Sequence, residues 1–450
     1  MNPIAASIAE ATARQDRTRP LPRLVSLDAY RGFAMLLMAA ELLQFPEVAR
    51  HFPESRVWQT LAFHWEHVDW TGCSLHDLIQ PSFSFMVGVS LPFSIAARQR
   101  RGDPGWKMWL HALWRSLLLV LLGVFLRSIG RPMTYWTFED TLSQIGLGYP
   151  FLFALGWVAT GWRWAALAVI LVGYWAAFAI YPVPPAGFDY AHFHGHAWFD
   201  GFRAHWNQNG NVAWAFDRWF LNLFPREKEF LGNGGGYSTL SFIPTLGTMV
   251  LGLIAGGWLL KTRDPAAPPA DTASPAPEPV VEPVEAVEPT PFSTLAPSES
   301  PVRWPSRPAS GWTVVLWLGL AGLLCLVAGW ALDVSGACPS VKKIWTPAWT
   351  LFSGGWCFCI MAAFFVVADL AKARWLVFPL TVVGMNSIAI YVLVHTIADF
   401  LGDALHTHFG RAPFQRWGLP LEPAVHGAAV LALLWLILLW MHRKRLYLRL

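Results

Sequence analysis

The sequence predicts an all-α protein, a polytopic integral membrane helix bundle of about ten transmembrane helices with a non-cytoplasmic cap loop. Three observations carry this. Of the 450 residues, 54% are hydrophobic and only 14% charged, whereas soluble domains carry nearer a quarter charged residues. Apolar stretches of about 20 residues, the length a helix needs to cross a bilayer, recur along the chain. The short connections between them carry basic residues on alternate sides, and the 27 Trp and 30 Phe suit aromatic belts at two interfaces.

The spans fall near 31–49, 78–97, 109–128, 141–159, 164–181, 240–260, 311–331, 347–369, 375–397 and 424–441. The first and fourth are the most interrupted by polar residues. With the N-terminus inside, the inner segments hold Arg14, Arg17, Arg19 and Arg23, then Arg98, Arg100, Arg101 and Lys107. They continue with Arg163, with Lys261 and Arg263, with Lys372 and Arg374, and with Arg443, Lys444, Arg445 and Arg449. Every inner segment is basic, so both termini are expected in the cytoplasm and the outer loops carry sparser charge. The first residues lack the apolar core of a signal peptide, and the expected location is a bacterial inner membrane.

Residues 1–23 form a basic arm, 24–263 a first membrane bundle, and 311–450 a second. Within the first, 182–239 is a long outer segment whose Trp and Phe content is too high for disorder, so an ordered cap is expected. Residues 264–310, dominated by Pro, Ala and Glu, cannot bury a core and read as an extended cytoplasmic linker. A net charge of +4 is small for this length and gives no case for nucleic acid; the expected surrounding is the lipid bilayer. Five cysteines make no metal or disulfide framework, and Cys357 and Cys359 sit in an apolar run as small hydrophobes.

The sharpest constellation is HVDWTGCSLHDLIQPSFSFMVGVS at 67–90, where a polar approach runs into a span. His67 titrates near neutrality and can move a proton or carry an acyl group, and Asp77 can orient it. The plainer reading makes His67 a hydrated interfacial histidine and Asp77 a helix cap, with His64 a competitor that periodicity does not exclude. At the inner start of the first span, Asp28 and Arg31 can pair on one helix face, and Arg31 can face an anionic ligand. Arg98, Arg100, Arg101, Lys107 and Arg115 can steer a polyphosphate such as coenzyme A, although positive-inside anchoring explains all but Arg115, which lies inside the third span.

Other motifs carry less. GNGGG at 232–236 lacks the Lys-Ser/Thr ending of a phosphate loop and reads as a hinge. HFHGH at 192–196 has no fixed Cys or carboxylate partner and reads as a surface loop, so no metal is expected. In GMNSIAIYVLVH, Ser387, Tyr391 and His395 share one helix stripe after Asn386, lining a pathway or supplying interhelical hydrogen bonds.

Taken in order, SLDAYRG, the 67–90 stretch, WRSLLLVLLGVFLR, STLSFIPTLGTMVLGLIAG and GMNSIAIYV resemble the heparan-α-glucosaminide N-acetyltransferase family and its bacterial homologues. The resemblance implies a transmembrane acyltransferase that takes acetyl-CoA from the cytoplasm and acetylates the amine of a glucosamine-type sugar or glycan on the far side. It also implies His67 as the active-site histidine in an H-x-x-W-x-G context, preferred over His64, with Asp77 its partner. Arg31 and Arg115 are then the expected donor-phosphate residues, and Trp70, Asn386 and His395 the expected substrate-side residues. A homodimer is compatible with the resemblance. The chain departs from the family at Ser143 and Gln144, where Gln and Arg are common, and at Glu41 and Leu42, where some members have Asn. The loop before His67 is longer than in the family, the 182–239 cap has no obvious match in the lysosomal enzyme, and that enzyme's lumenal N-terminal domain has no counterpart. The alternative function is a transporter or flippase for a sugar or lipid-linked glycan without covalent chemistry, its two bundles moving against each other. A third reading is a scaffold that docks through the linker.

Overall fold

The fold is described by a computed structural model covering residues 24–263 and 309–448. The basic arm, nearly all of the 264–310 linker and Arg449 lie outside the described residues. Fourteen α-helices follow in order among the described residues. They are α1 (Val25–Ala39), α2 (Phe45–Arg50), α3 (Arg56–Trp65), α4 (Ile79–Arg101), α5 (Gly105–Ser128), α6 (Thr141–Gly156) and α7 (Thr160–Ile180). Then come α8 (Val212–Phe220), α9 (Phe242–Leu260), α10 (Gly311–Val334), α11 (Pro347–Phe365), α12 (Arg374–Gly384), α13 (Ser387–Phe409) and α14 (Glu422–Arg443). Among the described residues, eight helices are long and apolar enough to cross a membrane, and the protein is an all-α integral membrane bundle.

Three expected spans differ in detail. The first is the 15-residue α1, which tightens into a 3-10 turn at Ala40–Leu43 and stops at Gln44 in a left-handed conformation. The fourth is the 16-residue α6, whose last carbonyls, Leu155 O and Gly156 O, accept from the Arg163 guanidinium at 3.1 Å each. That cation complements the negative end of the helix dipole. The expected span at 375–397 is two helices, α12 and α13, broken at Met385–Asn386. The break has a physical cause. A Cβ on Gly384 would lie 1.8 Å from Asp28 O and one on Gly32 1.7 Å from Leu380 O, so α12 packs antiparallel and backbone-close on α1. Asn386 is then turned toward the C-terminal tail, donating to Leu446 O at 3.1 Å and accepting from Leu448 N at 3.2 Å.

Spans from both sides of the linker share one core. Phe85, Val89, Met249 and Leu253 of α4 and α9 pack in the same cluster as Leu318, Cys357 and Phe358 of α10 and α11. A second cluster joins Met35 and Met38 of α1 to Ile390, Val430 and Leu434 of α13 and α14. The α4–α9 seam is close because Gly88, Gly252 and Gly256 let backbones touch, as small residues do between membrane helices.

The 182–239 segment is an ordered cap. Its hub is NQNGN at 207–211. Asn207 Oδ1 accepts from the backbone N–H of Trp198 (2.9 Å) and Phe199 (2.8 Å), and Asn209 Nδ2 donates to Phe193 O (2.8 Å) and Asn233 O (2.8 Å). Asn211 caps α8 through Trp214 N–H at 3.0 Å. An Arg203–Asp333 ion pair at 3.0 Å ties the cap to the end of α10. The GNGGG stretch is a turn seated on the Trp70 ring, with Gly236 at φ +78° and no room for a Cβ.

Candidate active site

The loop between α3 and α4 builds the site from a capping exchange. Ser74 Oγ accepts from Asp77 N–H at 3.2 Å, and Asp77 Oδ2 accepts from Ser74 N–H at 3.0 Å. This reciprocal S-x-x-D arrangement starts the helical run that becomes α4. It also fixes the Asp77 carboxylate, which is fully buried, with Oδ1 aimed at His67 Nδ1 at 2.8 Å. The cap reading of Asp77 and the pairing reading are therefore both met by one side chain.

A third residue completes the group. An isolated antiparallel bridge between Thr71 and Val341 brings the loop before α11 against the His67 loop. The next residue, Lys342, is buried, and its Nζ lies 3.0 Å from Asp77 Oδ1, 2.8 Å from His67 Nδ1 and 3.4 Å from His67 Nε2. The ammonium and carboxylate neutralise each other in a place neither would occupy alone. Burial lowers the pKa of the His67 imidazole, with Asp77 opposing and Lys342 adding to the effect. Burial likewise lowers the Lys342 ammonium, against the pull of Asp77. The His67 side chain remains 40% exposed, facing a cavity.

That cavity has a volume of about 710 Å³. Asp28 and Glu41, Gln80 and Ser94, and Arg115 and Arg127 line it in pairs on the α1 segment, α4 and α5. Each pair is separated by 12 to 14 positions, so the cavity follows the helices for roughly 20 Å. Arg31, Ser94 and Arg115 stand toward the end that the charge bias marks as inner, and His67, His76, Lys342 and Tyr237 at the other. Arg31 lies 3.8 Å from Asp28, the expected pair on one helix face. Arg115 rests on the Tyr149 ring at 4.9 Å and donates to its hydroxyl at 3.3 Å, while its buried Nε has no hydrogen-bond partner.

The sequence-derived residues thus separate. His67, Arg31, Arg115 and His395 line the cavity, with Asp77 directly behind His67. His395, on α13, stacks on Tyr391 at 4.5 Å. Two expectations need correction. Trp70 does not face a substrate: its 1% exposed ring stacks on Trp198 and its indole N–H donates to Trp206 O at 3.2 Å, anchoring the cap. Asn386 is buried and holds the C-terminal tail through the two bonds described above. His64 is a supporting residue whose Nδ1 accepts from Leu75 N–H at 3.2 Å.

Sequence reasoning missed Lys342 and the pair Glu41–His76, whose Oε1 and Nε2 are 2.5 Å apart. The signal for Lys342 was the Lys342–Lys343 doublet on an outer loop, against the charge bias that set the topology. Glu41 was visible as a carboxylate closing an apolar stretch. Among the described residues, Glu41, His67 and His76 offer ligand atoms within 4.8 Å of one another, a spacing that can hold a metal ion. Lys342 Nζ, 3.4 Å from His67 Nε2, weighs against a divalent ion there because two cations would share that space.

No protein-family model matches the chain. It is 22% identical over 410 residues to a Homo sapiens protein named heparan-α-glucosaminide N-acetyltransferase, covering 82% of this chain and 52% of that relative. The Mus musculus protein of the same name is 28% identical over 125 residues, 28% of this chain and 16% of the relative. The chain spans about half the length of the human relative. By its motifs and by these alignments, the protein resembles the heparan-α-glucosaminide N-acetyltransferases over most of its membrane portion.

Proposed function

We propose that this protein is a transmembrane acetyltransferase that moves an acetyl group from cytoplasmic acetyl-CoA to the amine of a glucosamine-type sugar on the outer side. The observation that carries the reading is the cavity that runs from Arg31 and Arg115 to His67 along three helices. A charged donor then never has to cross the bilayer; its phosphates stay at the arginines and only its acyl end reaches the histidine. In this reading Asp77, rather than the Lys342 ammonium at the same distance, is the partner of His67 Nδ1 and holds its proton, while Lys342 keeps Asp77 ionised. That tautomer leaves Nε2 with its lone pair, ready to take the amine proton as nitrogen attacks the thioester carbonyl, or to carry the acetyl group itself; in either route the C–S bond breaks, coenzyme A leaves as its thiolate, and the proton gathered from the amine returns to that sulfur. His395 lines the same cavity and is a residue for positioning substrate. In this reading the protein sits in a bacterial inner membrane with both termini on the cytoplasmic side.

The test is transfer of radiolabelled acetyl from acetyl-CoA to glucosamine by the purified protein in detergent, wild type beside His67→Ala. Label transfer by wild type only supports both the class and the residue. Retained turnover in His67→Ala removes the assignment of His67. If wild type neither transfers label nor binds acetyl-CoA, the cavity belongs to a transporter instead.

A further inference from the structure

Beside His67, the outer end of the cavity carries a second acid–imidazole pair that the transfer chemistry above leaves unused. Glu41 Oε1 is 2.5 Å from His76 Nε2, and the His76 ring lies 4.6 Å from the His67 ring. His76 is almost fully buried, 3% exposed, in the turn that also holds Asp77, whereas the Glu41 side chain is 59% exposed and lines the cavity. The imidazole thus fixes one carboxylate oxygen while the other is open to whatever occupies the cavity. The charges around it leave a vacancy of one sign. Lys342 and Asp77 cancel each other at 3.0 Å, and the other charged side chains lining this end are Glu41, Glu139, Asp140 and Arg127, three acids against one cation. Its titratable neighbours are His67, His395, Tyr237 and Tyr391. Arg127, which lines the cavity and acts on Tyr237 and Tyr391, is a permanent cation at this end but is outnumbered by the acids.

We infer that Glu41, held in place by His76, is the seat for the positively charged amine of the acceptor, and that it makes the site selective for primary ammonium groups over neutral hydroxyl or amide groups of the same size. The inference rests on the proposed amine acceptor but does not require that acetyl be transferred. An aliphatic primary amine is protonated near neutral pH, and a carboxylate with one free oxygen next to the base receives it as a charge-assisted hydrogen bond. Glu41 is a binding residue in this account and His76 a positioning residue.

The experiment is calorimetric binding to the full-length protein in detergent, without acetyl-CoA, of glucosamine against N-acetylglucosamine, which keeps the ring and removes the charge. Wild type is expected to favour glucosamine by about tenfold, the size of one charge-assisted contact. Glu41→Gln erases the preference, Glu41→Asp restores part of it, and His76→Gln reduces it while acetyl-CoA affinity stays within about twofold in all three. His67→Ala keeps the preference. Equal affinity of wild type for the two sugars, which needs no variant to observe, overturns the inference, as does a preference that survives in Glu41→Gln. If wild type prefers glucosamine through Glu41 yet transfers no label, acetyl transfer fails and ammonium recognition stands.

Discussion

Lys342 Nζ lies 3.0 Å from Asp77 Oδ1 although 265 positions separate the two residues, and the same ammonium lies 2.8 Å from the Nδ1 of His67. The two sides of the linker therefore meet at this ion pair as well as at Arg203–Asp333. Replacing Lys342 by Met leaves Asp77 buried with an uncompensated charge, a loss of about 3 kcal/mol or more of stability. It also removes a group that lowers the His67 pKa. The base is active when neutral, so in Lys342→Met the acidic limb of the kcat/KM profile should move to higher pH, with activity lost more at pH 6 than at pH 8. Measuring the profile for both proteins checks the sign; an unmoved limb would detach Lys342 from His67.

Asp77→Asn keeps the shape of the side chain and removes its charge. Asn offers Nδ1–H of His67 a weaker acceptor and leaves Lys342 without its counter-ion. Transfer should fall by about 10² or more, the usual contribution of a general base in the right tautomer. Glucosamine binding should persist, because Glu41 is not touched. Loss of both together would mean that Asp77 only holds the loop.

At the inner end, Arg115→Ala and Arg31→Ala should raise the Kd for acetyl-CoA by roughly tenfold to a hundredfold each, as removal of a charge-assisted hydrogen bond does. Binding of desphospho analogues of the donor should suffer less. Arg115→Lys keeps charge but not the planar group stacked on Tyr149, so it should recover only part of the loss. Titration of each variant with the two donors separates a phosphate contact from a general weakening of the bundle.

The class of fold was legible because a bilayer imposes length and composition on each span, and eight of the helices satisfy both. The breaks were not legible, because tertiary contacts made them. Gly384 and Asn386 are weak local signals at Met385, and it is Gly384 lying against Asp28 O and Asn386 bonding the tail that turn them into a break. In the site, His67 and Asp77 are ten residues apart and readable as a pair, whereas Lys342 arrives through the bridge of Thr71 to Val341, a pairing no local pattern encodes. Trp70 shows the converse. The family resemblance implied a substrate contact for it, and the cap that buries it comes from residues 198–236, far along the sequence.

The α4–α9 seam gives a test of packing free of the chemistry. A Cβ on Gly252 would fall 1.9 Å from Phe85 O, and one on Gly88 1.9 Å from Met249 O. Backbone cannot yield as a side chain does, so Gly252→Ala must push the helices apart. The cost should be about 1–3 kcal/mol, read as a lowered Tm in detergent. Gly161→Ala, where nothing lies within 4 Å of the added carbon, should leave Tm unchanged or raise it. Equal effects of the two would mean that the seam is looser than the glycines imply.

The cap contains a carboxyl that favours acid. Burial raises the pKa of Asp217 on α8 from the ordinary aspartate range to about 7, although Thr239 N–H donates to its Oδ2 at 2.9 Å and opposes the rise. Its Oδ1 is buried without a hydrogen-bond partner. Because the folded form holds its proton more tightly than the unfolded chain does, folding takes up a proton between about pH 4 and pH 7. The penalty for burying Asp217 is therefore absent below the unfolded pKa, grows as pH rises through this window, and is complete above the folded pKa. Asp217→Asn removes the ionisation and retains an acceptor for Thr239. It should stabilise the cap at pH 8 by no more than about 4 kcal/mol, the equivalent of a shift of this size, with little effect at pH 4. Hydrogen exchange of the α8 amides across pH 4–8, wild type against variant, measures the difference directly. A wild-type cap that is as well protected at pH 8 as at pH 5, with no gain from Asn, would mean that Asp217 is compensated by a partner such as Arg226, whose charge acts on it across the cap.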